Sequence, residues 1–230
     1  MFIAITLIFA QSLFPQPVAQ RVRQPREVVE AYRVCQRFQE LMAEDLDFDR
    51  AFEATFTKDP RRRREIAITE GEFGNVDLTS VDDASLIDAL KARMQIFYLM
   101  LPLASPRNDE EEELFFPAAI KAIIERKPPQ APQEFRSYAL QLKSDAKTFR
   151  EHLNQLGATN PAVAERIRKF KADLAKKIIP PSHVVKPLTA YSHGRVLDLN
   201  DKYYQIGDYA VIREGREMKI IGIRFFSRLF

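Results

Sequence analysis

The sequence predicts an α+β protein, with a mainly helical body of about seven helices and a three-stranded antiparallel meander at its C-terminal end. Apolar residues recur at steps of three and four almost everywhere from residue 27 to about residue 179. Beyond Pro180, Pro181 and Pro187 the period falls to two, and aromatic and β-branched residues become frequent. With 46% hydrophobic content, 230 residues are enough for a buried core.

The N-terminal end has the pattern of a secretory signal peptide over residues 1–20. Residues 2–14 are uncharged and mostly apolar, and Pro15, Pro17 and the small residue Ala19 follow them. This apolar run is shorter than the roughly 20 residues that cross a bilayer. We therefore expect an exported chain, periplasmic or extracellular, and keep an uncleaved leader that anchors the chain to a membrane as the alternative.

Capping residues predict where the first three helices begin. A first helix is expected over residues 27–44, and its apolar stripe includes the only cysteine, Cys35, which is therefore expected to be buried and to form no internal disulfide. Asp49 is expected to cap a second helix whose apolar stripe consists of phenylalanines. Asp59 followed by Pro60 is expected to start a third, because proline is tolerated at the first helical position.

The fourth and fifth helices differ in the character of their surfaces. The fourth begins at Asp82 or Asp83, runs to Leu101 and ends in a segment that is apolar around its whole circumference. Such a helix has no face suited to solvent, so it should lie at the centre of the fold. Asn108 is expected to cap the fifth, and the acidic run 109–113 in its first turn complements the helix dipole.

A long helix and its successor are expected to form an antiparallel hairpin near residues 133–179. Gly157 is predicted just past the end of the long helix, and Asn160 with Pro161 is predicted to start the next one. Both helices carry a continuous apolar stripe. The stripes are Phe135, Tyr138, Leu142, Ala146, Phe149, Leu153 and Leu156 in the first helix, and Val163, Ile167, Phe170, Leu174 and Ile178 in the second.

The C-terminal part is predicted to contain three strands, at residues 195–199, 203–213 and 218–226. Asn200-Asp201 and Glu214-Gly215 supply the two turns of the meander. A three-stranded sheet is marginally stable by itself, so it should pack on the helices. The expected organisation is a helical lobe over residues 21–181 and a β lobe over residues 182–230, together forming one mature globular unit.

The last strands also resemble a known family over a short stretch. The run YYQIGDYAVIREGREMKIIGIRF, residues 203–225, is similar to the closing strands of nuclear transport factor 2-like sheets. The helical hairpin before it departs from the usual order of that fold, and the catalytic Asp and His of that family have no aligned motif in this sequence. We therefore assign no family.

Familiar catalytic motifs are absent from the sequence. It has no His-Glu-x-x-His zinc helix, no Gly-x-Ser-x-Gly nucleophile elbow, no Gly-x-Gly-x-x-Gly and no Gly-Lys-Ser/Thr phosphate loop. The chain has only seven glycines, three histidines and one cysteine. We therefore predict no catalytic residues, no metal site and no cofactor. Whether it is an enzyme stays open, and a non-enzymatic role is the expectation.

Two basic clusters are the candidate anion-binding sites. The net charge of +3 is too small for a protein whose whole surface binds a polyanion, so any such site should be local. For residues 61–64 the alternatives are intramolecular contacts, for example with the acidic run 109–113, or simple solvation, and for the later cluster the alternative is packing of its helix in the hairpin. The candidate residues are Arg61, Arg62, Arg63, Arg64, Arg166, Arg168, Lys169 and Lys171.

The leading functional hypothesis is an exported, non-enzymatic binding or structural module of unknown ligand. A first alternative is a small-molecule or hydrolytic pocket between the β end and the helices. A second is peripheral binding to an anionic membrane surface through the basic clusters. The expected partner is a protein or an anionic lipid surface, and a nucleic acid is not expected because the chain is predicted to be exported. The pocket residues are Tyr203, Tyr204, Asp208 and Tyr209.

Overall fold

The computed structural model describes residues 26–71, 73–176 and 203–223. These residues confirm the α+β class, with a helical body and a C-terminal antiparallel sheet. The helices are α1 (Arg26–Asp45), α2 (Phe48–Thr55), α3 (Pro60–Glu70), α4 (Asp83–Met100), α5 (Asp109–Phe115), α6 (Ala118–Ile124), α7 (Phe135–Thr159) and α8 (Pro161–Lys176), with 3₁₀ turns at Leu101–Leu103 and Pro132–Glu134. The strands are β1 (Tyr203–Ile206), β2 (Tyr209–Glu214) and β3 (Glu217–Ile223).

Several sequence predictions fall outside the described residues. They are the signal peptide over residues 1–20, the strand at 195–199 with its turn at Asn200-Asp201, and the last stripe residue of the helical hairpin, Ile178. Within the described ranges, no helix is both long and apolar enough to cross a membrane.

Three predicted N-caps, Asp59, Asn108 and Asn160, are confirmed, the cap of α4 is Asp82 rather than the alternative Asp83, and one prediction is wrong. The side chains of Asp59, Asp82, Asn108 and Asn160 each accept a hydrogen bond from a backbone N–H in the first turn, at 2.8–3.0 Å. The cap of α2 is Asp47, whose carboxylate accepts from the N–H of Arg50 at 3.1 Å. Asp49 lies inside the first turn instead, where its charge complements the helix dipole.

Among the described residues there is one helix more than the sequence predicts, because Pro117 divides the segment after Asn108 into α5 and α6. Proline has no N–H to continue the hydrogen-bond ladder, so a new helix begins just after it. The prediction for Gly157 is also wrong. Helix α7 continues to Thr159, and Gly157 lies in its last turn, where an added Cβ would stand 3.2 Å from Cδ1 of Ile167.

Helix α4 is central, as its apolar circumference predicts. It packs against α2, α3 and α7, and Ile96, Phe97, Tyr98 and Leu99 are all buried. An aromatic cluster joins it to α1 and α2: the Tyr98 ring stacks on Phe48 with centroids 5.8 Å apart. Aromatic pairs at such distances add to the free energy that their burial contributes.

Helices α7 and α8 form the predicted antiparallel hairpin. Val163 and Leu174 of α8 are buried, and Ile167 and Phe170 are packed against the core. Helix α8 also packs against α1, so its apolar stripe is shared between two neighbours. On α1, Cys35 is 2% exposed, as predicted, and burial raises the pKa of its thiol.

The described sheet is an antiparallel meander in the order β1-β2-β3, but its strands differ from the predicted ones. The predicted strand 203–213 is two strands, joined by a turn at Gly207-Asp208 that lets Ile206 pair with Tyr209. Gly207 and Gly215 have φ of 59° and 60°, which suits the first central position of a type II′ hairpin turn. The strand alternation continues across the first of these turns, so periodicity alone did not reveal it.

One face of the sheet packs on the helices. Its inward side chains Val211, Met218 and Ile220 belong to the same apolar core as α1 and α4. A short parallel bridge links Ile220 to Phe56, and the N–H of Thr57 donates to the carbonyl of Ile220 at 3.0 Å. The sheet is therefore joined to the link between α2 and α3 by backbone as well as side-chain contacts.

The corner between α1 and α2 is held by distant parts of the chain. Leu46 is buried with a φ of 57°, in the left-handed region. Its carbonyl accepts from Gln95 Nε2 at 2.7 Å and from Arg150 Nη2 at 3.1 Å. Gln95 Oε1 in turn accepts from the N–H of Phe48 at 2.9 Å. Side chains of α4 and α7 thus satisfy the backbone of this corner.

Candidate functional site

The first basic cluster, Arg61–Arg64 at the start of α3, is divided between the surface and the interior. Arg63 is the most enclosed, with 15% of its side chain exposed. Its guanidinium donates to the carbonyl of Thr57 at 2.7 Å and to the carboxylate of Glu53 at 2.8 Å, and it lies 5.1 Å from the ring centroid of Phe52. These hydrogen bonds join the start of α3 to α2 and to the residues that follow α2.

Arg64 fastens the loop between α3 and α4. Its Nη2 donates to the carbonyl of Leu78 at 2.5 Å, its Nη1 donates to that of Val81 at 2.8 Å, and it also pairs with the carboxylate of Asp83. A guanidinium has five donors in a planar fork, so one side chain can satisfy several carbonyls at once. Arg64 therefore contacts two backbone carbonyls of this loop and one carboxylate at the start of α4.

The other two arginines of the run differ in exposure, since Arg62 is half-buried and Arg61 lies on the surface. Arg62 pairs with Glu214 at 3.7 Å, across to the end of β2. Arg61 has 83% of its side chain exposed and stands 3.6 Å from Glu65. The acidic partners that the structure describes for this cluster come from α2, α3, α4 and β2. The acidic run 109–113 pairs with none of the four arginines among the described residues.

Glu53 is the acidic centre of the region around α3. Its carboxylate is contacted by Lys58 and Arg63 at 2.8 Å and by Lys91 at 2.6 Å. Partial burial would raise the pKa of Glu53, but hydrogen bonds from these three cations outweigh it and hold the pKa well below its usual range. Lys91 also contacts Asp49 at 2.6 Å, which connects α4 to α2.

The second basic cluster, on α8, is also divided. Arg166 donates to the carbonyl of Ser105 at 2.9 Å, stands 3.8 Å from Glu111 and lies 5.1 Å from the ring centroid of Phe115. Lys171 donates to the carbonyl of Glu44, the penultimate residue of α1, at 2.9 Å. These two cations fasten α8 to its neighbours.

The remaining cations of α8 point outward. Arg168, Lys169 and Lys176 are exposed, and they share this outward face with Glu165 and the small residues Ala172 and Ala175. Arg168 forms a two-pronged pair with Glu165 at 2.5–2.9 Å. Lys169 and Lys176 make no hydrogen bond or ion pair with any described residue. We call this set of residues the outward face of α8.

The two buried tyrosines of the predicted pocket, Tyr204 and Tyr209, contact different parts of α1. Tyr204 is buried and donates its hydroxyl hydrogen to the carboxylate of Glu27; burial and this carboxylate raise the pKa of Tyr204 to about 12. Tyr209 is buried on the helical side, where its hydroxyl accepts from Gln39 Nε2 at 3.0 Å, and burial raises its pKa. Asp208 lies in the turn between β1 and β2. The side chain of Tyr203 is not among those that the structure describes.

A small cavity does exist beside β3, but it is lined by other side chains. Its volume is about 10 Å³, close to the minimum for a single water molecule. Its lining is mostly apolar and comes from Phe48, Phe56, Ile66, Glu70, Leu90, Met94 and Ile223. The described side chains of Tyr204 and Tyr209 do not line this space, which is too small for an organic ligand.

Some of the side-chain contacts that join the helices and the sheet were not predicted from the sequence. Lys91 and Glu53 lie on different helices, and nothing in their local spacing indicates that they meet. Gln39 was visible as a polar residue next to the apolar stripe of α1, which was a signal for a buried hydrogen bond. Among the described residues, no three or more His, Cys, Asp and Glu side chains lie together in a way that could hold a metal ion.

Comparisons with protein families, with curated proteins and with solved structures returned no significant match.

Proposed function

We propose that this chain is an exported, non-enzymatic binding module that holds an anionic partner on the outward face of α8. The observation that carries the proposal is the placement of Lys169 and Lys176. Both are exposed on one helix and have no partner among the described residues. Arg63, Arg64 and Arg166, in contrast, donate hydrogen bonds to backbone carbonyls of other elements. Export rests on the apolar leader at residues 2–14.

The pKa shifts of Glu53 and Tyr204 suit structural roles for these two side chains. A general acid or base works best with a pKa near the working pH. The pKa of Glu53 is moved away from neutrality by its three cations, and the pKa of Tyr204 is moved away from it by burial and by Glu27. These shifts keep the carboxylate charged and the phenol neutral, which suits groups that join elements of the fold.

The binding part of the proposal is tested by retention on a phosphocellulose column. The full chain is compared with the variant K169Q/K176Q and with a matched control, R136Q/K147Q, which removes the same charge from exposed positions of α7. We expect K169Q/K176Q to elute at clearly lower salt and the control to elute near the unchanged protein. Equal shifts for both variants would show that total charge, not the outward face of α8, governs retention.

The export part is tested separately by fractionating the cells that make the protein and sequencing its N-terminus. We expect the protein outside the cytoplasm with a new N-terminus near Gln20. A cytoplasmic protein that keeps Met1 would contradict export without affecting the column result.

A further inference from the structure

We propose that the outward face of α8 is a peripheral docking surface for an anionic lipid bilayer. This inference rests on the proposed binding function and names its partner. The helix carries five cations, Arg166, Arg168, Lys169, Lys171 and Lys176, against two acids, Glu165 and Asp173, so its formal charge is 5 − 2 = +3. The docking cations are those that the fold leaves exposed.

The spacing of the two lysines favours a surface over a single small anion. Lys169 and Lys176 are seven residues apart, which places them on the same side of the helix and about 10 Å apart along its axis. One phosphate group is too small to contact both ammonium groups across that distance. A bilayer presents many headgroups, so each lysine can meet a different one.

The chemistry of the lysines also suits a fluid surface. A lysine ammonium is a compact charge on a flexible stem, with three donors that rotate freely, whereas an arginine fork favours fixed planar partners. Arg63 and Arg64 bind fixed carbonyl and carboxylate groups. On α8, the exposed Arg168 pairs with Glu165, whereas Lys169 and Lys176 have no described partner. Mobile lipid headgroups offer charge without a fixed geometry, and lysine can follow them.

The attachment would be electrostatic and would not insert the helix. An amphipathic helix that enters a membrane buries its apolar face among the lipids. The apolar stripe of α8 is already packed on α1 and α7, with Val163 and Leu174 buried. Its outward face offers only Ala172 and Ala175 between the cations. Binding should therefore fall steeply with salt and leave the helix at the surface.

The test is co-sedimentation of the protein with vesicles. The protein is purified after export, so that the unchanged chain, K169Q/K176Q and R136Q/K147Q all carry the same N-terminus and any contribution of the leader is shared. Vesicles of phosphatidylcholine with about 30 mol% phosphatidylglycerol are compared with pure phosphatidylcholine at about 50 mM salt, a concentration at which surface charges still interact. Circular dichroism checks that all three proteins are folded.

We expect the unchanged protein to bind only the anionic vesicles and to be released at high salt. A lysine near an anionic surface contributes about fivefold in affinity, so K169Q/K176Q should bind about 20- to 30-fold more weakly. The control R136Q/K147Q should stay within about twofold of the unchanged protein, because its substitutions lie on α7.

Three results would overturn the inference. The first is no binding to anionic vesicles at about 50 mM salt. The second is an equal loss in both variants. The third is release by inorganic phosphate at a concentration where sodium chloride of equal ionic strength does not release the protein, which would indicate a discrete phosphate site. If vesicle binding fails while phosphocellulose retention still depends on Lys169 and Lys176, the bilayer is the wrong partner and the binding function stands.

Discussion

The start of α3 and the outward face of α8 are both rich in positive charge, and the structure uses them in opposite ways. At α3, Arg63 and Arg64 turn into the protein and bind carbonyl groups and carboxylates. On α8, Lys169 and Lys176 remain in solvent. A cluster of basic residues in a sequence is therefore not a surface property by itself. The direction of each side chain decides whether the charge stabilises the fold or is available to a partner.

Helix geometry explains the difference. Successive residues of a helix are about 100° apart, so four arginines in a row point to all sides, and some of them must face neighbouring elements. On α8 the apolar stripe takes the inward positions, and the cations are distributed over the remaining arc. Arg166 and Lys171 lie at the two borders of that arc and reach neighbouring backbone, while Lys169 and Lys176 lie farther out.

The largest expected effect comes from removing an inward cation of α3. The substitution Arg64→Ala leaves the carbonyls of Leu78 and Val81 and the carboxylate of Asp83 without this partner. We expect the free energy of unfolding to fall by about 2–3 kcal/mol, measured by urea denaturation. The control Arg61→Ala removes an exposed arginine of the same run and should cost less than about 0.5 kcal/mol. Equal losses would remove the distinction between inward and outward cations at α3.

A smaller effect is expected at the acidic centre, and it depends on pH. The pKa of Glu53 is lowered in the folded protein, so its contribution is present above the unfolded pKa of about 4.3 and is lost as the pH falls toward the folded value. Because its side chain is 39% exposed, solvent screening limits the contribution to about 1 kcal/mol. Unfolding measured from about pH 7 to pH 2 should show a shallower acid-induced loss for Glu53→Gln than for the unchanged protein. Parallel curves would contradict this role for Glu53.

Lys171 and Lys169 of α8 differ in their contacts, so the effects of substituting them can be compared within one helix. Lys171→Met removes the ammonium that donates to the carbonyl of Glu44 and should lower the free energy of unfolding by about 0.5–1 kcal/mol. The matched change Lys169→Met removes an exposed ammonium with no described partner and should leave stability nearly unchanged. Thermal unfolding of the two variants side by side checks the difference. A larger loss at Lys169 would mean that its ammonium also fastens the fold.

The smallest effect on stability is expected where the largest effect on binding is proposed. The double variant K169Q/K176Q should unfold within about 0.5 kcal/mol of the unchanged protein, because neither ammonium contacts a described residue. Urea denaturation of the sample used for the vesicle assay provides the check. A marked loss of stability would mean that reduced vesicle binding reflects damage to the fold.

Much of the fold could be predicted from the sequence because local signals were strong. The caps at Asp59, Asp82, Asn108 and Asn160 follow from short polar side chains placed before apolar periodic segments. Where two local signals compete, the sequence does not decide: Asp47 and Asp49 are both acceptable caps, and the first of them ends up outside the helix. The turn at Gly207-Asp208 was missed because a two-residue hairpin turn preserves the strand alternation.

The candidate site was less predictable than the fold. The phase of the apolar stripe on α8 was enough to place a basic face opposite it. The fate of Arg64 was not predictable, because its partners at Leu78 and Val81 are backbone carbonyls, which every residue has. The contact of Glu53 with Lys91 was not predictable either, because the two residues lie on different helices and meet only when α2 and α4 pack together.

The corner at Leu46 also constrains the order in which the chain can acquire its structure. The backbone of this corner is completed by Gln95 and Arg150, which follow Leu46 by 49 and 104 positions. During synthesis, α1 and α2 emerge long before α7 does. The hydrogen bonds that complete this corner therefore form only after α7 has emerged, when most of the chain is already present.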